Sequence, residues 1–356
     1  MPNTQLKPHK PSKLEALKAM SPSDRKRAIL DMLMNNAMFI IIGLVIVYIA
    51  IQQPRFLSIP SIVNIISLTA AKLPIALGVG GCIILAGTDI SAGRQVGLAA
   101  CISAGLQLTT NKLFPGLPVM PIPVVLLCVL VTGAIVGFVN GFCMAKFKLH
   151  PFIVTLSTQL IVYGIILLFM MLGDNGGQTL SGMSEAYRSF IIDPLFKIQG
   201  VAVPRYVLYS AIITAIVWVI WNKTAFGKNM YAVGSNEEAA NVSGVNVSRT
   251  IILVFVMAGM LYGITGFMDA ARISSVNATT GLNYESDAIA ACVIGGISFV
   301  GGIGKVSGAI IGVLLLQIIF TGLTYLSVDQ NYLYIVKGLI ILIACAIDMR
   351  KYLVRK

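Results

Sequence analysis

The sequence predicts an all-α, polytopic membrane protein with about ten transmembrane helices, some of them broken or re-entrant, and with both termini in the cytoplasm. Three observations carry this expectation. Hydrophobic residues make up 57% of the 356 and charged residues only 11%, apolar windows of spanning length recur along the chain, and basic residues crowd the flanks of those windows. An average soluble domain has roughly 25% charged residues. The few charges here, many of them near the two ends, cannot give a chain of this length a polar surface. Crossing about 30 Å of hydrocarbon takes about 20 apolar residues per helix, so ten crossings fit the length as one membrane unit.

The windows lie near 34–51, 62–86, 93–109, 121–143, 152–172, 206–221, 250–270, 286–300, 305–325 and 332–348. Windows 62–86 and 286–300 are rich in glycine or interrupted by polar residues, and these are the ones expected to be broken or re-entrant. Pro74 removes a backbone donor inside the first of them and predicts a kink. With the amino terminus inside, eighteen Lys and Arg fall on the cytoplasmic side and six on the outer side, the bias that orients membrane proteins. An even number of crossings agrees with both termini inside.

Residues 1–31 carry seven basic side chains and no apolar run followed by a cleavage site, so they read as a retained cytoplasmic tail ahead of a transmembrane domain, 32–356. Residues 52–61 read as a short element along the outer interface. Residues 173–205 form an external loop that opens with Gly173, Gly176, Gly177 and Gly182, and 222–249 form the longest internal loop. Within the latter, Ser235 or Asn236 is placed to cap a short helix that starts at Glu237 and Glu238, runs through Ala239 and Ala240 and ends at Gly244. Acidic residues suit that helix's N-terminal dipole. Two turns are marginal alone in water, so the helix needs support from its own bundle or from a soluble partner.

Glycines at four-residue spacing, Gly133, Gly137 and Gly141 and again Gly304, Gly308 and Gly312, leave one helix face bare for close backbone packing, within the chain or at a subunit interface. A faint echo joins Gly93-Arg94-Gln95-Val96-Gly97, downstream of Cys82, to Gly304-Lys305-Val306-Ser307-Gly308, downstream of Cys292.

The net charge of +12 is spread as flanks of apolar segments, not as a basic stripe interleaved with aromatics, which excludes a nucleic-acid reading. The six cysteines lie in apolar stretches without a C-x-x-C pair, and His9 and His150 sit in polar flanks, so no metal or disulfide role is expected. Neither H-E-x-x-H nor G-x-S-x-G occurs. No P-loop exists either: Phe299 and Asn222 stand where the first glycine would precede Gly304-Lys305 and Gly227-Lys228. A transporter built on this chain would therefore draw on an ion gradient or on a nucleotide hydrolysed by another protein. A charge at the centre of a spanning helix costs roughly 2.5–3.5 kcal/mol, which directs attention to Lys72, Asp89, Arg94 and Lys337. Asp89 either caps or pairs with Arg94 to order a chain break, or contacts a substrate; Lys337 reads as a snorkelling side chain. Asp269 and Arg272 share a helix face, and Glu285 and Asp287 precede the eighth window.

Several blocks in order then resemble a known family. Glu238-Ala239-Ala240-x-x-x-Gly244 is similar to the E-A-A-x-x-x-G core of the cytoplasmic coupling loop in permease subunits of binding-protein-dependent ABC importers. The flanks Asn222 to Gly234 and Val242 to Asn246 resemble those of the ribose/galactose-type sugar permeases, as do Leu85 to Gly93 and Asp287 to Ser298. From about residue 32 onward nearly the whole chain resembles the galactose/methyl-galactoside branch of that family. Two features depart from the pattern: the hydrophobic-Leu-Pro ending of other importer classes is missing, so only positions 234–244 are carried over, and tail 1–31 is longer than usual.

The resemblance implies an inner-membrane homodimer that forms the path for galactose or a methyl-galactoside. A cytoplasmic ATPase would dock on 222–249 through Gly234, Asn236, Glu237, Glu238, Ala239, Ala240 and Gly244. ATP and Mg would belong to that partner, with no cofactor or metal in this chain and no catalytic residue. A periplasmic or lipid-tethered sugar-binding protein would deliver substrate. A neutral hexose asks for hydroxyl and amide partners, and the path candidates are Asn64, Thr69, Thr88, Asp89, Ser91 and Arg94. The competing readings are an ion-coupled secondary transporter using Asp89 with Lys72, and an intramembrane transferase using Asp287 or Asp269.

Overall fold

The computed structural model describes residues 37–353. The tail 1–31 with its seven basic residues lies outside the described residues, as do Arg355 and Lys356 and the side chains of Arg350 and Lys351. The chain divides into two compact units, 1–48 and 49–356. In the first, the described residues are the opening of helix α1 (Ala37–Gln52).

In the second unit a 3₁₀ turn at Pro54–Leu57 leads into α2 (Ile59–Ile84), α3 (Ala92–Gln107), α4 (Ile122–Phe147) and α5 (Pro151–Met170). A mixed segment follows: β1 (Leu180–Ser181), α6 (Glu185–Ile192), β2 (Pro194–Ile198) and β3 (Val201–Pro204). Then come α7 (Arg205–Lys223), α8 (Ala225–Ser235), α9 (Glu237–Val242), α10 (Val247–Ile273), β4 (Ser275–Val276), α11 (Tyr284–Ile294), α12 (Val306–Tyr325) and α13 (Gln330–Leu353). Each apolar window coincides with a helix. Six of these, α2, α4, α5, α7, α10 and α12, are long and apolar enough to cross a membrane. By length α3, with 16 residues, rises about 24 Å and α11, with 11, about 16 Å.

Two expectations need correction. The fold is not purely helical: β1 pairs antiparallel with β4, and β2 with β3, as two-stranded ribbons. The segment 173–205 carries α6 and the β2–β3 ribbon, with Ser184 capping α6 through the Tyr187 amide. The window 62–86 is not broken: α2 runs unbroken through Pro74, and the break falls after it, at 85–91. The window 286–300 does contain a break. Helix α11 stops at Ile294 and an irregular stretch leads to Val306.

Glycine sets the closest packing. A Cβ at Gly133 or Gly137 would strike the carbonyls of Gly259 and Phe255 on α10, and one at Gly141 would meet the Ile252 backbone, so α4 and α10 lie antiparallel in near backbone contact. Gly308 and Gly312 of α12 abut Gly295 and Ala291 in the same way. The glycine faces thus pack within the chain. Around this seam Leu98, Val129, Tyr187, Phe267 and their neighbours form the core, and α2 and α10 are the most enclosed long helices.

The echo between the two glycine motifs has a structural counterpart. At the end of α2 the Gly87 amide bonds the Cys82 carbonyl (3.0 Å) with Ala86 at φ 58°; at the end of α11 the Ile297 amide bonds the Cys292 carbonyl (2.9 Å) with Gly296 at φ 82°. Both ends carry the same left-handed cap and six-residue closure.

Candidate functional site

Helix α7 joins the ribbon segment at one end of the fold to α8 and α9 at the other. The Thr224 hydroxyl accepts from the Gly227 amide (3.2 Å) and starts α8, a helix the sequence did not announce. Asn236, not Ser235, caps α9: its side chain accepts from the Ala239 amide at 2.8 Å. Gly244, at φ 84°, closes α9, and the Val245 amide returns to the Ala240 carbonyl (3.0 Å).

Helix α9 leans on its own chain through a single small side chain. Ala240 is buried with Val233 and Val247, against Leu85, Val245 and Ile251. Glu237, Glu238, Ala239 and Val242 face outward, and Val242 is 90% exposed. Lys148, beyond the end of α4, pairs with Glu237 at 2.7 Å and, with Glu238, Asn241 and Gly244 to Ser248, walls an open groove of about 470 Å³. An exposed pair of this kind adds little stability, at most about 1 kcal/mol. Its effect is to present the α9 edge in one position.

Helix α8 touches both chain breaks. Gly234 lies so close to the Ile84 carbonyl, at the end of α2, that a side chain there would collide with it. The Gly302 amide bonds the same carbonyl at 2.8 Å. The Tyr231 hydroxyl donates to the Gly304 carbonyl (3.0 Å), and partial burial raises the pKa of the phenol, which keeps it a donor. The α8–α9 elbow is thereby fastened to the ends of α2 and α11 together.

The break at 85–91 is held by a buried polar network. Asp89 Oδ1 accepts from the Ser91 amide (3.0 Å) and hydroxyl (2.5 Å). Ser91 Oγ accepts from Gln95 Nε2 (2.9 Å) and Asn140 Nδ2 (3.1 Å), and Asn140 Oδ1 accepts from Thr158 (2.6 Å). Thr155 donates to the Thr88 carbonyl at 3.3 Å. Asp89, Ser91 and Asn140 are fully buried. The expected pairing of Asp89 with Arg94 is not formed. Ser91 holds the carboxylate from two residues away, and the Arg94 guanidinium turns to the Ala278 carbonyl (3.0 Å) over the Tyr163 ring. The structure brings Thr88, Asp89, Ser91 and Arg94 to one break. Asn64 and Thr69 stand apart on α2: Asn64 is exposed, and Thr69 donates to the Ile65 carbonyl of its own helix at 2.7 Å.

The sequence reading did not single out Gln95, Asn140 or Thr158. The available signal was an amide or hydroxyl isolated in an apolar helix, which in hydrocarbon seeks a partner on another helix. Lys337 does not snorkel either: it pairs with Asp287 at 2.7 Å. Asp269 and Arg272 pair at 2.8 Å, as their spacing predicts, and Lys72 lies on the face of the Tyr284 ring.

The elbow, gripping a bundle through the polar break at the end of α2, is the arrangement the coupling-loop resemblance leads one to seek. Residues 61–345 match the family described as branched-chain amino acid transport system, permease component. The chain belongs to this permease family. It is 44% identical over 329 residues, 92% of its length and 97% of the relative's, to the galactose/methyl galactoside import permease protein MglC of Haemophilus influenzae. It is 41% identical to the MglC protein of Escherichia coli, covering 93% of this chain and 98% of the relative. The ribose import permease protein RbsC of Haemophilus influenzae is 33% identical, covering 89% and 93%. No solved structure matches the chain. The permease is thus a helical membrane protein whose matched region takes in both chain breaks and the elbow.

Proposed function

We propose that this permease is the transmembrane subunit of a binding-protein-dependent ABC importer, carrying galactose or a methyl-galactoside across the bacterial inner membrane. The observation that carries this reading is the identity of 41–44% to galactose/methyl galactoside import permeases over more than nine-tenths of the chain. The family's printed description concerns branched-chain amino acids, but these sugar permeases match at much higher identity than a shared family alone requires.

The elbow suits the coupling role. Glu237, Glu238, Ala239 and Val242 are presented outward from a helix with one buried residue, and Gly234, Asn236, Ala240 and Gly244 shape and seat it. A cytoplasmic ATPase holding ATP and Mg docks there, so the elbow end faces the cytoplasm and the ribbon end faces the binding protein, periplasmic or lipid-tethered. Two copies form the path, in a ten-crossing, N-in and C-in arrangement in which α3 and α11 complete their passages with irregular backbone. The exposed apolar faces of α4, α5 and α7, including Leu127, Ile135, Leu160 and Leu168, meet lipid. The ion-coupled alternative loses support because its nominated pair is separated: Lys72 sits on Tyr284, while Asp89 is held by Ser91.

Vesicles containing the permease with its ATPase and binding protein are expected to accumulate galactose on addition of ATP. Accumulation that survives ATP depletion but collapses with an uncoupler, or import of leucine in place of hexose, refutes the assignment.

A further inference from the structure

Between β4 and α11 the chain does not run along the surface. From Val276, paired with Leu180 in the ribbon, it descends until Gly281 lies against the backbone of Gly93 and Gly97, near the start of α3. The far end of α3 returns to the ribbon segment, where Leu108 bridges Met183. The descent is therefore roughly 15 Å deep, the rise of the ten residues between Gly97 and Gln107. Irregular backbone at that depth is tolerated where protein buries it or where it lines an aqueous space. Asn277, Thr279 and Leu282 are exposed, and Asn283 and Ser286 partly so, which places an open space beside the segment.

At its foot α11 begins, with Tyr284 and Asp287 in the first turn. Facing them are Lys72, Ile75 and Ala76 of α2 and Leu316 and Gln317 of α12, around a cavity of about 10 Å³, room for one water. Gln317 is 7% exposed and lines this cavity with a primary amide, two donors and an acceptor, that has no hydrogen-bond partner among the described residues. Such a group is costly in an apolar interior unless it has a use. The neighbouring charges are already engaged: Asp287 with Lys337 (2.7 Å), Asp269 with Arg272 (2.8 Å), and Lys72 on the Tyr284 ring.

We propose that Lys72, Tyr284, Asp287 and Gln317 form a contact site partway along the path for a neutral polyhydroxyl solute, with the Gln317 amide as its central hydrogen-bonding group. The site rests on the import reading above and adds to it where the solute is held. Donors and acceptors side by side suit the hydroxyls of a sugar, each of which both gives and takes a hydrogen bond. The cavity as it stands admits no hexose, so the site opens when α11 and α12, packed glycine against carbonyl, move together from α2. That movement is linked to the elbow, because the stretch after α11 bonds the end of α2 through Gly302 and Ile84 and meets α8 through Gly304 and Tyr231.

The test is Gln317→Leu in vesicles holding the permease, its ATPase and the galactose-loaded binding protein, with uptake and ATP hydrolysis measured together. Leucine is similar in size and enters a membrane helix more readily than glutamine, so a loss cannot come from failed insertion. ATP hydrolysed per galactose imported is expected to rise about tenfold, the effect of one hydrogen bond. Stimulation of ATP hydrolysis by the loaded binding protein and the melting temperature should stay at wild-type values. An unchanged ratio overturns the site, and so does a fall in uptake that comes with lost stimulation and a lower melting temperature. Wild-type vesicles that hydrolyse ATP but import no hexose overturn the import reading itself, and the site with it.

Discussion

Replacing Gly234 by valine is expected to unseat the elbow without disturbing the bundle. A Cβ at Gly234 would lie 2.8 Å from the Ile84 carbonyl carbon and 2.9 Å from the Gly302 nitrogen, where non-bonded carbon contacts settle at roughly 3.5–4.0 Å. Both neighbours are backbone, so neither can rotate away. Relief requires α8 to retreat by about an ångström or the Gly302 to Ile84 hydrogen bond to open. Overpacking costs about 1–3 kcal/mol and a lost hydrogen bond about 0.5–1.5 kcal/mol. The sum, about 3 kcal/mol, shifts the seated-to-unseated ratio roughly a hundredfold. Radiolabelled galactose uptake in vesicles should fall at least tenfold (~10), while co-purification with the ATPase and the detergent-solubilised yield hold. Uptake within twofold (~2) of wild type and an unchanged melting temperature would refute the collision and the mechanical link drawn from it.

Four further outcomes follow from the same contacts. Glu238→Lys reverses an outward-facing charge on α9 and should abolish uptake while leaving membrane insertion and affinity for the binding protein intact, as measured by uptake, fractionation and binding. Asp89→Ala removes both hydrogen bonds to Ser91, worth about 2–3 kcal/mol in a buried charged network, and should lower the melting temperature in detergent by several degrees (~5). Gly137→Leu drives a side chain into the Phe255 carbonyl and should abolish monodisperse protein on size exclusion, whereas Gly164→Leu, in open space, should be neutral. Gly244→Ala meets no neighbour but must hold φ 84°, a strain of about 1 kcal/mol, so uptake should fall only modestly.

What was legible in the sequence follows from how local each signal is. Hydrocarbon demands long apolar runs, so every window landed on a helix, and among the described residues six are both long and apolar enough to cross. The α9 cap could be narrowed to Ser235 or Asn236 because capping is a matter of neighbouring residues, and the structure chose Asn236. The glycine spacings showed that backbones must approach closely, but not that α10 receives Gly133 and Gly137. That partner lies more than a hundred residues away. For Asp89 the sequence left a local cap and a pair with Arg94 open: Ser91 beats Arg94 because a two-residue turn places its amide and hydroxyl on the carboxylate, whereas Arg94, at the start of α3, faces Ala278. Helix α2 runs on through Pro74, and the ribbons were invisible because each is only a few residues long and paired by tertiary contacts.

The seam of glycine against carbonyl along α4 and α10 leaves no slack for sliding, so these two helices behave as one stiff plate. A vestibule that opens first to one side and then to the other must therefore swing about something else. The two left-handed elbows at Ala86 and Gly296 are the natural pivots, set beside each other and both within reach of the same lever, so a single push would turn them in step.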